Sequence, residues 1–303
     1  MKPGALAVLR GVAVIAAASC RPDLGANDGL VTRPVVLAVK AEPPEAAAGA
    51  SATYTALVAS PASSAPDGAV AWRFCTAALP PTADNAVSPD CFDPASLVTA
   101  GAGSPIVTST PAGACAVFGP VTPSHGARPP DPDATGGYYQ PLRVDVAGAD
   151  PAFYLARIAC GLGAAPADTV AAFTQAYEPN ANPRLAPVTA ALGPEAVAFD
   201  AIPAGATVTL HARWGAADAE TYAYFDPATQ TLTTKREAMQ VAWHATAGTF
   251  AAESTGRSET DFATTSDDAW TAPTDAGAVT LWVVLRDSRG GVDFATYAVG
   301  VAR

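Results

Sequence analysis

Lysine is nearly missing from this chain: Lys2, Lys40 and Lys235 are the only three in 303 residues. Histidine is as scarce, with His125, His211 and His244, and only 15 % of the residues are charged. Acids outnumber bases by 28 to 17, giving a formal net charge of -11 that repels phosphate backbones over the surface as a whole. Nucleic acid is therefore not an expected partner. There is no C-x-x-C pair, and without close cysteine pairs or neighbouring histidines a zinc site has no support. No apolar run approaches the roughly 20 residues needed to cross a bilayer as a helix.

What the chain does have is alanine in excess, 28 prolines, 25 glycines and an apolar half, the composition of a turn-rich globular protein rather than a disordered one. At roughly 150 residues per domain, the length favours two domains. Residues 1–10 carry Lys2 and Arg10, and residues 11–18 (GVAVIAAA) form an uncharged apolar run of signal-peptide length, so 1–19 reads as a signal peptide. The Ala18-Ser19-Cys20 end resembles bacterial lipoprotein signals, in which small residues precede a cysteine that receives diacylglycerol before cleavage. Ala17 stands where that family usually has Leu. The resemblance implies that Cys20 is the lipidated first residue of the mature chain and anchors it to a membrane. Arg21, in place of the Asp that retains enteric lipoproteins in the inner membrane, points to the outer membrane. The alternative is an ordinary signal cleaved near Ala18, which leaves Cys20 as a free thiol. Residues 20–34, with Pro22, Gly25, Gly29 and Pro34, read as a flexible tether.

Comparing the halves exposes a repeat. Residues 48–58 (AGASATYTALV) align without gaps on residues 204–214 (AGATVTLHARW), and Val70-Ala71-Trp72 matches Val241-Ala242-Trp243 further on. Each is a turn leading into a strand, then a strand carrying a tryptophan where sandwich folds bury one. The expected fold is therefore all-β: two tandem immunoglobulin-like β-sandwiches over 35–183 and 184–303. In the second, Val208, Leu210, Ala212 and Trp214 share one face and His211 points away from it, while Met239, Val241 and Trp243 repeat the pattern. Residues 241–250 (VAWHATAGTF), 270–273 (WTAP) and 279–291 resemble the PKD-like immunoglobulin modules of bacterial surface proteins. The whole pattern is similar to uncharacterised lipoproteins of high-GC bacteria, a resemblance that implies a fold and no activity.

In the first copy, residues 35–41, 51–60, 69–76, 153–160 and 169–177 read as strands. Between 79 and 150 lies a Pro, Gly, Ser and Asp-rich insertion, far longer than a structureless loop usually runs. Four cysteines are placed to hold it. Cys75 bonded to Cys91 and Cys115 bonded to Cys160 is the favoured pairing; Cys75 with Cys160 and Cys91 with Cys115 is the alternative.

No catalytic set stands out, so the expectation is a non-enzyme with no cofactor and no metal. His125 beside Ser124 reads as a solvated loop pair, although a hydrolase built on the insertion is the competing class. Asp131-Pro132-Asp133 lacks the later bidentate Glu of a calcium loop and reads as a turn; Ser266-Asp267-Asp268 and Glu259-Thr260-Asp261 supply further exposed oxygens. A binding patch is suggested by Trp282 and Val284, which alternation sets opposite the core face of Val279, Leu281, Val283 and Leu285, with Phe294 beside them. Packing against the first domain is the simpler reading of that face. Tyr138 and Tyr139 offer a second aromatic patch, with an envelope protein or glycan as the expected partner. A lipid-anchored envelope module that binds or builds is the expected function, with an accessory subunit of an envelope complex as a further alternative.

Overall fold

In the computed structural model, which describes residues 29–61, 70–80, 87–120, 134–163 and 165–303, the period-2 alternation becomes strands throughout both halves. The first half holds β1 (Val35–Glu42), β2 (Glu45–Ala47), β3 (Ser51–Ala59) and β4 (Ala71–Cys75). It continues with β5 (Leu97–Ala102), β6 (Ile106–Ser109), helix α1 (Ala114–Phe118), β7 (Gly137–Asp145) and β8 (Ala152–Ala159). A sheet of order β1-β3-β6 faces one of order β2-β8-β7-β4-β5. Between them lie Val39, Tyr54, Trp72, Phe74, Leu142 and Val144, with the Trp72 indole N–H donating to the Gly103 carbonyl at 2.6 Å.

Helix α2 (Ala167–Ala176) leads to the second half: β9 (Thr189–Leu192), β10 (Glu195–Val197), β11 (Ile202–Pro203), β12 (Thr207–Arg213) and the hairpin β13 (Thr221–Asp226) and β14 (Thr231–Arg236). Then follow β15 (Met239–Ala245), β16 (Thr249–Phe250), β17 (Ser254–Arg257), β18 (Thr265–Thr271), β19 (Gly277–Asp287) and β20 (Val292–Ala302). Its sheets run β10-β9-β12-β18-β16 and β11-β20-β19-β15-β17. Val208, Leu210, Trp243, Leu281, Val283 and Leu285 are buried between them, which is the face that alternation assigns to the core.

The repeat is one topology used twice. The order β2-β8-β7-β4-β5 reproduces β11-β20-β19-β15-β17, and β1-β3-β6 reproduces β9-β12-β18. In each copy a short strand pairs parallel with the last long one, Glu45 opposite Arg157 and Ile202 opposite Val301. The aligned glycines perform the same turn: Gly49 at φ 83° and Gly205 at φ 71° both occupy the left-handed region that glycine enters without a Cβ clash. Trp72 and Trp243, the second landmark, both lie on a strand flanked by two neighbours in the long sheet.

Both disulfides form in the favoured pairing, Cys75 to Cys91 and Cys115 to Cys160. The stretch 79–150 is held by them, but it is not one insertion. It supplies β5, β6 and β7, the counterparts of β17, β18 and β19, with Cys91 in the connection from β4 to β5 and Cys115 in the one from β6 to β7. The edge strands β5 and β6 are short, β5 contains Gly101, and they leave Val98 and Val107 exposed, which is why they carry little strand signal. Residues 169–177 are also corrected, from strand to helix. Thr, Val and Phe favour a strand, yet Val170, Phe173 and Tyr177 fall at i, i+3 and i+7 and pack as one helical stripe against Ala223 and Phe225 of the β13–β14 hairpin. The described end of the expected tether, 29–34, is docked: Val31 N donates to the Ala245 carbonyl at 2.8 Å and Ala245 N donates to Gly29 O at 2.8 Å.

Candidate functional site

The residues singled out as a binding patch lie at the junction of the two sandwiches. Trp282 and Val284, 5 % and 0 % exposed, are covered by Ala38, Leu57 and Ala59 of the first sandwich and by Val31, with Phe294 packed alongside. The outward face of β19 is thus a second buried face: of the two readings of Trp282, Val284 and Phe294, packing against the first domain holds and a free binding patch does not. Tyr138 is buried as well, against Ala114 and Ile158 beneath α1. Tyr139, 38 % exposed, remains at the surface.

Beside this apolar contact runs a lattice of buried charges. Glu45 on β2 accepts from Arg157 Nε at 3.0 Å and from the backbone N–H of Asn180 at 2.9 Å, and the Tyr177 hydroxyl donates to its other oxygen. Arg157 also donates to Thr135 and to the Tyr139 hydroxyl at 3.3 Å. In the β19–β20 turn, Arg289 donates to Glu237 and Glu220 at 2.7 Å each and to the Glu178 carbonyl at 2.9 Å, while stacking over the Tyr222 ring. Asn180 joins the halves, its side-chain amide donating to Asp287 at 3.3 Å while its backbone serves Glu45. Asn182 donates to the Ala41 carbonyl and accepts from Val292 N, and Lys40 pairs with Asp293 at 3.0 Å. The interdomain segment is therefore laced to both sandwiches at successive residues. Charges this deep persist only when paired, and removing one partner leaves the other stranded. Burial, with Asp287 nearby, pushes the Glu237 carboxyl up to about 7, and burial likewise raises Asp287.

Between the sandwiches the junction opens into a half-open cleft of about 400 Å³, a size that holds small organic ligands. Its walls are Val36 to Val39 of β1, Ala152 to Leu155 of β8, Tyr139, and residues 286–288, 290 and 292 around the β19–β20 turn. Arg286 lies on the same sheet face as Trp282 and Val284, where the apolar contact gives way to the cleft. Its guanidinium donates to the Leu37 carbonyl at 2.7 Å and has no carboxylate partner among the described residues. Burial lowers its pKa, the direction expected when a cation loses water without gaining a counter-charge. Tyr154, on the opposite wall, has a buried hydroxyl with no hydrogen-bond partner among the described residues, and burial raises its pKa.

The other candidates disperse. His211 pairs with Asp267 at 2.8 Å on the outer face of β12, as its alternation implies, and His244 is half-buried on β15. Asp268 is buried and accepts from Ala252 N at 3.0 Å, and Asp261 pairs with Arg257 at 3.1 Å, so these acids do not converge. No group of three or more metal-ligating side chains occurs among the described residues. Cys20, Ser124, His125, Asp131 and Asp133 lie outside the described residues. Sequence reading passed over Arg286 and Tyr154 altogether. A signal for Arg286 exists: a charged residue continuing the Trp282 and Val284 face of an otherwise apolar strand.

No family model matches the chain, and no curated protein matches it in sequence. Among solved structures it is similar to the adhesin InvE of Yersinia pseudotuberculosis, at 13 % identity and TM-score 0.24, over 88 % of this chain and 58 % of that one. It is also similar to the alpha-2-macroglobulin of Escherichia coli activated by porcine elastase, at 10 % identity and TM-score 0.23, over 91 % of this chain. The chain spans only 22 % of that second structure. The immunoglobulin-like fold is read from the strand order itself.

Proposed function

We propose that this chain is a lipid-anchored cell-envelope protein whose two sandwiches act together as one non-catalytic binding or structural module. The observation that carries the reading is the docking of residues just downstream of Cys20: Gly29 and Val31 bond to Ala245, and Val31 enters the contact around Trp282. The docked Gly29 lies nine residues after Cys20, a stretch of chain that can span no more than roughly 30 Å. An anchor at Cys20 holds such a body close to its membrane, and a load on either sandwich passes through the junction to the other. Lipid chains contribute on the order of 0.8 kcal/mol per buried CH₂, enough for durable anchoring without a spanning helix. The lipoprotein-like Ala18-Ser19-Cys20 and the PKD-like segments of the second sandwich support the same reading, and Arg21 favours the outer membrane.

Metabolic labelling with an alkyne fatty acid, followed by mass spectrometry of the N-terminal peptide and detergent partition, tests the anchor. The expected result is an acylated Cys20 and a detergent-phase protein that Cys20→Ala moves to the aqueous phase. An unmodified N-terminal peptide, or partition unchanged by the substitution, removes the anchor from the account.

A further inference from the structure

Arg286 and Tyr154 face one cleft from opposite sandwiches, and each keeps a donor that the protein does not use. The guanidinium has five N–H groups, of which the Leu37 carbonyl engages one at 2.7 Å. The phenol hydroxyl is shut from water with no acceptor among the described residues. The guanidinium is the donor open to the cleft, and with an aliphatic lining from Val36, Val39, Ala152 and Leu155 it calls for an acceptor group attached to an apolar body. Charge narrows the choice. Asp287 also lines the cleft, although its oxygens are taken up by Arg289 N, Gly291 N and the Asn180 amide, and the chain carries a net charge of -11. A multiply charged anion meets repulsion from both, whereas a single carboxylate suits one guanidinium, whose planar fork matches two oxygens.

We propose that the interdomain cleft binds a small amphiphilic monocarboxylate, its acid group held by Arg286 and its hydrocarbon body lying against the aliphatic walls of both sandwiches. The ligand touches both sandwiches, so it is bound only while the junction is closed. This rests on the reading of the chain as a binding module and is independent of its anchor: loss of acylation at Cys20 leaves the cleft unchanged, and an empty cleft leaves the anchor unchanged.

The test is calorimetric titration of the purified full chain with 3-phenylpropionate, its neutral isostere 3-phenylpropionamide, and inorganic phosphate. The acid should bind saturably with a Kd of about 1 mM or below, and the amide should bind at least about tenfold more weakly, the cost of losing a charge-assisted pair. Arg286→Gln should weaken the acid about tenfold or more and leave the amide unchanged, with Arg286→Lys recovering part of the loss. Circular dichroism checks folding, and if Arg286→Gln does not fold, the Arg286→Lys titration decides. Equal affinity for acid and amide, tighter binding of phosphate, undiminished binding by the folded variants, or no saturable binding would each overturn the proposal.

Discussion

In the first sandwich a single tryptophan, Trp72, sits between the sheets, and two disulfides tie the long connections to the ends of β4 and β8. In the second, Trp214, Trp243 and Trp270 fill the space between sheets of identical order, and no cysteine occurs after Cys160. The difference teaches that one topology can be held in two ways. Where the long connection forms its own hairpin, β13–β14, and the inner faces are bulky, burial suffices. Where Pro and Gly-rich connections lead to short, exposed edge strands such as β5 and β6, cross-links limit the freedom of the unfolded chain instead. The paired domains of this protein are a natural experiment in that exchange.

Breaking either half should therefore reveal different supports. The largest loss is expected from Trp243→Ala, about 3–5 kcal/mol, because a fully buried indole leaves a cavity that the sheets cannot close. Chemical denaturation under oxidising conditions measures it, and the disulfides should give no protection, since neither lies in that half. Glu45→Ala belongs in the same range, about 3–5 kcal/mol, because it strands the Arg157 guanidinium at 3 % exposure. Hydrogen exchange should show that loss on both sides of the junction rather than in the first sandwich alone.

Next come the cross-links. Replacing Cys115 and Cys160 by Ser should cost about 4 kcal/mol and replacing Cys75 and Cys91 about 3 kcal/mol, since the first pair closes 45 residues and the second 16. Faster exchange confined to β4, β5, β7 and β8 would agree; equal loosening of β19 and β20 would not.

A smaller effect should follow pH. Glu237 binds its proton more tightly when folded, at about 7 against the ordinary carboxylate value of 4.5, so the folded state holds more protons than the unfolded chain between those values. Its contribution is complete below about pH 4 and is lost as pH rises towards 7, by at most about 1.4 kcal/mol per unit. Asp287 acts in the same direction. Thermal melts should fall from pH 5 to 7.5, and Glu237→Gln should flatten the slope while lowering stability throughout, because Gln cannot accept from both Arg289 and Glu220 N. The smallest effects belong to Val107→Cys and Phe262→Cys, exposed by 74 % and 76 %, which should change stability by no more than about 0.5 kcal/mol.

Much of this architecture is legible in sequence because its signals are local. The 48–58 and 204–214 segments carry their turn glycines and alternation with them, and the β19 core face follows from every second residue. Cysteines at the ends of strands and inside the connections between them favour the pairing that forms, but the alternative of Cys75 with Cys160 is separated from it only by the fold. What is not legible depends on partners far away in sequence. Glu45 and Arg157 are 112 residues apart, and Arg286 meets Leu37 across 249. That Trp282 packs on the first domain is the simpler reading of its strand, but its partners Ala38, Leu57 and Ala59 appear only in the fold. Helix α2 is hidden because its residues favour strands singly and only their spacing along one stripe, answered by a hairpin of the other half, makes a helix.

The central claim is that the junction makes two sandwiches into one rigid body. Spin labels at Val107→Cys and Phe262→Cys, one on each sandwich, report it directly through their dipolar distance distribution in the full chain with Cys20 blocked. A single narrow distribution, broadened when Trp282→Asp opens the apolar contact, is the predicted result. A broad distribution in the otherwise unaltered chain would contradict it.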